Sequence, residues 1–281
     1  MVSGNGIFGP GSQPGDEDGV ELDYMEMPKG MRTYAMPIMP EKEEAEAFGV
    51  ALDKLDEVLE ALRVNPPPGK TPTVSLDSLD KANRDFISQL LGEGEVSVIA
   101  GSSIQSQESV LAGVWRVYEL DAAGALTSDR IEIGDFPATI LKAAQDAAGP
   151  VLLDAELAAD PNLMNAPALA TELIEKIASY TDSEPTHVIN LSLLPMSDAD
   201  NAFLDQSVGG GPVIILSRGY GNCRVTSTAV KNVWWVRFYN SREALILDTL
   251  EVTRIPSVAL AAREDLEDSA QRLKEIIEVY R

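Results

Sequence analysis

The sequence predicts an α+β fold: two tandem copies of a unit made of a helix and antiparallel strands, flanked by helices and preceded by a disordered N-terminal tail. The first observation behind this prediction is an internal repeat, in which Phe86 returns as Phe203 after 117 positions. Eleven identities keep their order: Phe86, Gln89, Gly92, Gly94, Val96, Val114, Trp115, Val117, Asp129, Glu132 and Pro137 recur as Phe203, Gln206, Gly209, Gly211, Val213, Val233, Trp234, Val236, Asp248, Glu251 and Pro256. The offset grows to 119 after a loop, where a change of length has little effect on stability.

The second observation is the strand pattern of the second copy. A short apolar run at 213–216, behind glycines and a proline, predicts a buried strand. The β-branched and aromatic run at 232–239 predicts another strand. The polar turn 240–243 then leads into a third strand at 244–252. In this prediction, a loop containing Cys223, the single cysteine of the chain, joins the first two strands.

Ahead of the first copy, the sequence predicts a tail and one helix. Residues 1–40 are rich in Gly, Pro and acidic residues without a sustained period, which is typical of a disordered or extended segment. Pro40 and the glutamates after it favour a helix start. An apolar stripe then recurs at helical spacing through Phe48, Leu52, Leu55, Leu59 and Leu62.

The two copies fill the rest of the chain. In the first copy, Ser78 or Asp80 can cap a helix that runs to Leu91. The other predicted elements are strands at 95–100, 111–120, 126–133 and 186–191, a counterpart of the cysteine loop at 102–110, and helices at 136–148, 167–180 and 259–280. The predicted domains are a flexible tail (1–40), an N-terminal helix with the first repeat (41–149), and a linker with the second repeat and the C-terminal helix (150–281).

Charge and cysteine content restrict the function classes. The 281-residue chain carries 22 Lys and Arg against 45 Asp and Glu, a net charge of −23. Such a field repels phosphate backbones and anionic lipids, so it argues against nucleic acid as a partner and favours a basic one. One cysteine forms no internal disulfide, and no apolar run reaches the roughly 20 residues of a membrane-spanning helix. We therefore expect a cytoplasmic protein without a membrane span or a signal peptide.

The inventory for catalysis and metal binding is small. His187 is the single histidine, and its place on a predicted strand favours a packed or hydrogen-bonded ring over a catalytic base. One histidine and one cysteine are too few soft ligands for a metal site, so we expect no bound zinc, nickel or iron and no cofactor. The strand pairs Asp129 with Glu132 and Asp248 with Glu251 point to opposite faces. We expect these carboxylates to be solvated or to support turns.

Two hypotheses are open for the loop around Cys223. Arg218 and Arg224 can lower the pKa of the thiol, which would suit a thiol-dependent enzyme or a redox carrier. Alternatively, Cys223 is a small buried residue, as cysteine commonly is. Because nucleophilic cysteines usually need a partner histidine, a binding role is favoured over an enzyme.

The same loop and the strand after it have the composition of a protein-binding edge. Trp234 matches Trp115 and is predicted to be the core tryptophan, whereas Trp235 aligns with Arg116 and is predicted to face solvent. An exposed tryptophan beside arginines is typical of a binding hot spot. The candidate partner-binding residues are Arg218, Tyr220, Asn222, Cys223, Arg224 and Trp235.

Segments 217–224, 232–236 and 247–252 read Ser-Arg-Gly-Tyr-Gly-Asn-Cys-Arg, Asn-Val-Trp-Trp-Val and Leu-Asp-Thr-Leu-Glu-Val. Through them, the chain resembles the HupH/HyaF family of hydrogenase expression/formation proteins, over both repeats and most of its length. The resemblance implies a non-enzymatic, chaperone-like accessory protein of nickel–iron hydrogenase maturation. It further implies that the partner is the precursor of the small, iron–sulfur-bearing hydrogenase subunit before export, beside a thioredoxin-like accessory protein. It brings no catalytic residues with it.

Overall fold

The computed structural model describes residues 46–151, 160–219 and 221–281. Within them, each half of the chain runs through the same series of a helix, a short strand, a second helix, four strands and a third helix. The first half contains α1 (Gly49–Arg63), β1 (Thr73–Ser75), α2 (Lys81–Leu91), β2 (Val96–Ala100), β3 (Ile104–Glu108), β4 (Val114–Leu120), β5 (Leu126–Ile133) and α3 (Ala138–Asp146). The second half contains α4 (Ala166–Ser179), β6 (His187–Asn190), α5 (Asp198–Val208), β7 (Gly210–Ser217), β8 (Asn222–Thr228), β9 (Val233–Tyr239), β10 (Leu245–Val252) and α6 (Arg263–Tyr280). The α+β class and the duplication are confirmed, and the predicted tail at 1–40 lies outside the described residues.

The ten strands of the described residues form one antiparallel sheet, in the order β1-β5-β4-β3-β2-β7-β8-β9-β10-β6. Each repeat contributes five strands in the same arrangement, so the order is equivalent from either end. The equivalent strands β2 and β7 pair at the centre, where Val98 lies opposite Ile215. The repeats are therefore halves of one sheet related by an approximate two-fold axis, with β1 and β6 at its outer edges.

Two segments that were predicted as loops are strands. β3 lies within 102–110 and β8 contains Cys223, and each pairs with a neighbouring strand on both sides. Neither strand shows a continuous apolar run, because only one face of each packs against a core. In β8, for example, Cys223 and Val225 are buried whereas Arg224 is only partly buried. Such alternation is typical of antiparallel strands with one polar face.

The two faces of the sheet carry different cores. On the inner face, defined by Trp115 and Trp234, side chains of both repeats form one shared cluster beneath α3. On the opposite, outer face, α1, α2 and α6 cover the first repeat, and α4 and α5 cover the second. The indole Nε1–H groups donate to the main-chain oxygens of Gly134 (3.1 Å) and Arg254 (3.2 Å), respectively. The prediction that Trp234 is the core tryptophan is confirmed.

The second helix of each repeat is anchored by the same hydrogen bonds. Asp80 caps α2 and Ser197 caps α5, each accepting a bond from the backbone N–H three residues later. Those later residues, Asn83 and Asp200, also accept a bond from the first turn of the preceding helix, at 3.2 Å and 2.9 Å. Burial alone would raise the pKa of Asp200, but hydrogen bonds from three backbone N–H groups and a hydroxyl hold it well below its usual range. Each helix pair is therefore joined by its own hydrogen bonds in addition to its packing on the sheet.

A Gly-x-Gly segment follows the second helix in both repeats. Gly92 and Gly209 end the helices with φ values of 57° and 58°, a region that favours glycine. A Cβ at Gly94 would lie 2.3 Å from a main-chain oxygen, and one at Gly211 would lie 2.3 Å from a serine hydroxyl. The repeated glycines thus serve helix termination and close packing of the next strand.

Two further contacts tie the repeats together away from the β2–β7 pair. α6, from the second repeat, packs on α1 and α2 of the first, where Tyr280 meets Phe86 edge-on with ring centroids 5.8 Å apart. Asp135 and Arg254, which lie 119 residues apart at equivalent positions of the two repeats, form an ion pair. Helix packing and an ion pair therefore hold the two repeats together in addition to the common sheet.

Candidate functional site

β7 and β8 pair to form a hairpin, which we call the β7–β8 hairpin, and Arg218 and Gly219 at its turn lie beside the start of β2. The N–H of Arg218 donates to the main-chain oxygen of Glu95 at 3.2 Å. A Cβ at Gly219 would displace the Glu95 carboxylate, whose oxygen would be only 2.2 Å away. Gly221 has a φ of 103°, which requires glycine. Tyr220 lies outside the described residues, so its placement stays a prediction.

Cys223 is buried in the shared core, where the residue is only 1% exposed. Strand alternation directs its side chain toward Trp234 and away from Arg224. Burial, reinforced by the nearby Glu251 carboxylate, raises the pKa of the thiol to about 12. This burial argues against the hypothesis of a reactive thiolate held by the flanking arginines, because the thiol is enclosed in the core and Arg224 lies on the opposite face of β8.

Trp235 is buried on the outer face with 8% exposure, so the prediction that it faces solvent is wrong. Its Nε1–H donates to Oδ1 of Asp248 on β10. The guanidinium carbon of Arg237 lies 4.4 Å from the centroid of the Trp235 ring, and its Nε is 3.4 Å from both carboxylate oxygens of Asp248. An indole, a guanidinium and a carboxylate thus form one cluster on the outer face.

The first repeat holds a similar cluster, in which the aromatic ring and the guanidinium have exchanged positions. Arg116 occupies the place of Trp235, and Tyr118 occupies the place of the arginine. Arg116 binds Asp129 through two nitrogens, at 2.5 Å and 2.6 Å, and its guanidinium lies 5.3 Å from the centroid of the Tyr118 ring. Because Arg116 is itself buried in an ion pair, its alignment with Trp235 was no indication of exposure.

The repeated carboxylates of β5, Asp129 and Glu132, are buried, so of the two predicted roles, solvated or turn-supporting, the first is wrong for both. Asp129 sits in the cluster of the outer face. Glu132, on the inner face, accepts hydrogen bonds from the hydroxyl and the backbone N–H of Thr139 and from Nε of Arg130 (3.1 Å). Thr139 lies in the first turn of α3, so Glu132 holds that helix on the sheet. Burial raises the pKa of its counterpart, Glu251.

The remaining candidates for chemistry have structural partners. His187 lies 2.7 Å from Glu172 of α4 through its Nε2 atom, which confirms the expected hydrogen-bonded ring. Across the described residues, no group of three or more His, Cys, Asp or Glu side chains is arranged to hold a metal ion. The same part of the chain contains no helix whose length and hydropathy would let it cross a bilayer.

The sheet brings some of the candidate binding residues together and separates others. Asn222 and Arg224 project on the outer face, where Arg224 lies directly opposite Arg237 on β9. Arg218 is exposed at the hairpin itself. Cys223 points to the inner face, so it is not part of this surface.

Sequence reasoning missed an exposed apolar margin at the edge of the second repeat. We call it the β6 margin: Val188, Leu193 and Ile246, which are 48%, 79% and 60% exposed. Val188 lies in β6 itself, and Leu193 follows in a 3-10 turn. In that turn, the Ser192 hydroxyl accepts a hydrogen bond of 2.7 Å from the N–H of Asp248 on β10, the strand that also contains Ile246. The segment Leu191-Ser192-Leu193-Leu194 has three leucines close to a predicted strand, and this was the sequence pattern that could have indicated the exposed apolar surface.

Comparisons with known proteins place the two repeats in one family. A family model described as "HupH hydrogenase expression protein, C-terminal conserved region" matches residues 50–157 and again residues 163–280. The hydrogenase expression/formation protein HupH of Rhodobacter capsulatus is 48% identical over 98% of this chain and 96% of its own length. HoxQ of Cupriavidus necator, with the same description, is 44% identical over 96% and 95% of the two chains. The hydrogenase-1 operon protein HyaF of Escherichia coli is 34% identical over 96% and 94%.

Proposed function

Because the chain belongs to the HupH family of hydrogenase expression proteins, we propose that it is a non-enzymatic accessory protein of nickel–iron hydrogenase maturation. It binds the precursor of the small, iron–sulfur-bearing subunit in the cytoplasm and holds it during the assembly steps before export. A thioredoxin-like accessory protein is its second partner in this proposal. Similarity in sequence supports the maturation role, and the geometry of the β7–β8 hairpin supports binding as the mode of action.

The direction of the hairpin side chains is the observation that carries the proposal. Cys223 enters the shared core, where its thiol has a raised pKa of about 12 and 1% exposure. Asn222 and Arg224 extend on the other face, and Arg218 lies exposed at the turn. A segment that buries its nucleophile and presents amide and guanidinium groups is suited to recognition, since arginine forms forked hydrogen bonds with carboxylates and main-chain oxygens.

The hairpin and the β6 margin lie at one end of the second repeat, which gives the proposed surface both polar and apolar parts. β7 ends at Ser217, β10 begins at Leu245 and β6 ends at Asn190. Because these strands belong to one antiparallel sheet, those three termini lie at the same end of the strands. Binding sites between proteins commonly combine apolar anchors with a polar rim of this kind.

The charge of the chain supports a basic partner. A net charge of −23 accelerates encounter with a positively charged segment, such as the basic export leader that we assign to the precursor. Added salt screens this attraction, with a Debye length of about 8 Å at physiological ionic strength. The association rate should therefore fall as salt rises, while a pair held by apolar contacts alone would change little.

A binding assay with hairpin variants tests the proposal. Purified complete chain, as wild type, Arg218→Ala or Arg224→Ala, is titrated into purified small-subunit precursor, and Arg63→Ala on α1 is the charge-matched control. We expect each hairpin variant to bind roughly tenfold or more weakly, as loss of an arginine anchor does in interfaces, and the control to bind like wild type. Equal weakening by Arg63→Ala would assign the effect to overall charge. Unchanged binding by both hairpin variants would remove the hairpin from the site.

A further inference from the structure

We infer that the outer edge of β6 is a docking site for an extended, apolar segment of the partner polypeptide that also carries basic residues. β6 is the last strand of the sheet, and among the described residues its only neighbouring strand is β10. Along such an edge, the N–H and C=O groups of alternate residues point outward and can pair with an added strand. The identity of the partner as the hydrogenase precursor rests on the proposed function above, whereas the edge itself is independent of it.

Apart from its length of four residues, β6 lacks the features that usually protect an edge strand. Its residues, His187-Val188-Ile189-Asn190, include no lysine or proline, and its pairing with β10 is regular without a bulge. Charged side chains, prolines and bulges are the usual means by which proteins prevent an added strand. The opposite edge strand, β1, is shorter and directly follows Pro72, and its exposed residues Thr73 and Ser75 are polar. Only one of the two equivalent edges is therefore suited to accept a strand.

The β6 margin supplies apolar contacts for such a strand. Val188 projects from the edge strand, while Leu193 and Ile246 extend the apolar surface past its end. An added strand gains affinity from main-chain hydrogen bonds, and its alternate side chains are selected by the surface on which they pack. The exposed positions thus favour a segment with β-branched or other apolar residues at alternate positions.

Charge decides between a different polypeptide and a second copy of this chain. Two copies would bring net charges of −23 together edge to edge. Near the edge, Glu172 of α4 contacts His187 and keeps 44% of its side chain exposed. This carboxylate, together with the acidic charge of the whole chain, favours lysine or arginine in the incoming segment. An apolar strand flanked by basic residues therefore fits the edge better than a second acidic protomer.

The test uses the complete chain and two synthetic peptides of about 12 residues, a length that spans a strand of this size. One peptide alternates valine with serine between flanking lysines, and the other has the same charge with a central proline that blocks strand pairing. Val188→Lys introduces a protecting charge at an exposed position of β6, and Thr73→Lys on β1 is the matched control. Hydrogen exchange of the wild-type backbone amides maps the site without any variant.

We expect the valine peptide to bind wild type and the Thr73→Lys control equally, and Val188→Lys at least about tenfold more weakly, since an edge lysine opposes strand addition. The amides of residues 187–190 should exchange more slowly when this peptide is bound. Equal binding of the two peptides, unchanged affinity of Val188→Lys, or protection at other residues would each overturn the inference. Should Val188→Lys lower the thermal midpoint, the exchange map and the proline peptide still decide.

The same variants, titrated with the small-subunit precursor, separate this inference from the proposed function. Precursor binding that is lost in Arg224→Ala but unchanged in Val188→Lys would overturn the edge site and leave the proposed function standing. A wild-type chain that binds the valine peptide at 187–190 but not the precursor would overturn the proposed function and support the edge site. Weakening by both variants supports both.

Discussion

Val98 of β2 and Ile215 of β7 occupy equivalent positions in the two repeats, and they lie directly opposite each other in the central strand pair. The approximate two-fold axis of the molecule passes between them. Asp135 and Arg254 repeat this relationship elsewhere, because they too are equivalent residues that contact each other. The chain is thus organised as a dimer of repeats fused into one polypeptide, with the shared core at the fusion.

The fused-dimer arrangement predicts that the repeats hold together without a covalent link. Coexpression of residues 1–151 with residues 160–281 should give a 1:1 complex, because the β2–β7 pair, the shared core and the packing of α6 on α1 all remain. Size-exclusion chromatography with mass determination measures this. Val98→Asp should abolish the complex by burying an unpaired charge, whereas Val64→Asp, at an exposed position after α1, should not. Independent elution of the unsubstituted fragments would contradict the arrangement.

The thiol of Cys223 is predicted to be inert in the folded protein. Its pKa is raised to about 12 and the residue is 1% exposed, so neither the thiolate nor access is available near neutral pH. Labelling with a disulfide reagent at pH 8 should be slower than for the unfolded chain by a factor on the order of a hundred or more. Rapid labelling of native protein would restore the thiol-dependent hypothesis.

Trp235 is predicted to be a stability residue rather than a contact residue. Trp235→Ala should lower the free energy of unfolding by about 3–5 kcal/mol, as removal of a buried tryptophan does. Trp235→Phe keeps much of the packing and removes the hydrogen bond to Asp248, so it should cost about 1–3 kcal/mol. Urea unfolding measures both values. An alanine variant as stable as wild type would show that the indole is exposed in solution.

The pH dependence of stability should contain a contribution from Glu108. Burial, opposed by a hydrogen bond from Gly113 and reinforced by the Glu95 and Asp265 carboxylates, raises its pKa from 4.5 to about 7. Between these values the folded chain retains a proton that the unfolded chain has lost, so the free energy of unfolding falls as pH rises from 4.5 to 7. Since one pKa unit corresponds to about 1.4 kcal/mol, the loss is on the order of 3 kcal/mol.

Glu108→Gln tests that contribution, because glutamine cannot ionise and can still accept the bond from Gly113. Urea unfolding at pH 4.5 and pH 8 should show a decrease that is smaller than that of wild type by roughly 3 kcal/mol, while Glu251, whose pKa is also raised, still contributes in the variant. Glu57→Gln, at an exposed site on α1, is the control and should retain the wild-type decrease. An identical decrease in the Glu108→Gln variant would show that Glu108 ionises normally.

The sequence was sufficient to predict the duplication and most helices, because those depend on local pattern. Paired identities such as Phe86 with Phe203 and Trp115 with Trp234 occupy equivalent core positions. A cap before the apolar period of α2 also followed from residue type, with Ser78 and Asp80 as the two candidates, and Asp80 is the one that caps the helix. Each of these features is determined by neighbours in sequence or by repetition.

The predictions that the structure contradicts concern features that depend on residues distant in sequence. β8 is a strand because β7 and β9 lie on its two sides, and its own residues alternate between polar and apolar. Trp235 is buried because Asp248, from another strand, accepts its indole hydrogen bond. Arg116 is buried for the same reason, through Asp129. An arginine at the equivalent position of the other repeat therefore indicates that a tryptophan is exposed only if no carboxylate on a neighbouring strand pairs with that arginine.

Equilibrium titration of the purified complete chain with the hydrogenase small-subunit precursor tests the central claim most directly. The measurement is made at about 50 mM and 300 mM salt, which changes the Debye length roughly twofold or more, with the mature subunit lacking its leader as comparison. We predict saturable 1:1 binding that is tighter for the precursor and weakens as salt rises, because an acidic surface then loses its attraction for the basic leader. Absence of saturable binding at low salt, or equal binding of both forms at both salt concentrations, would contradict the account.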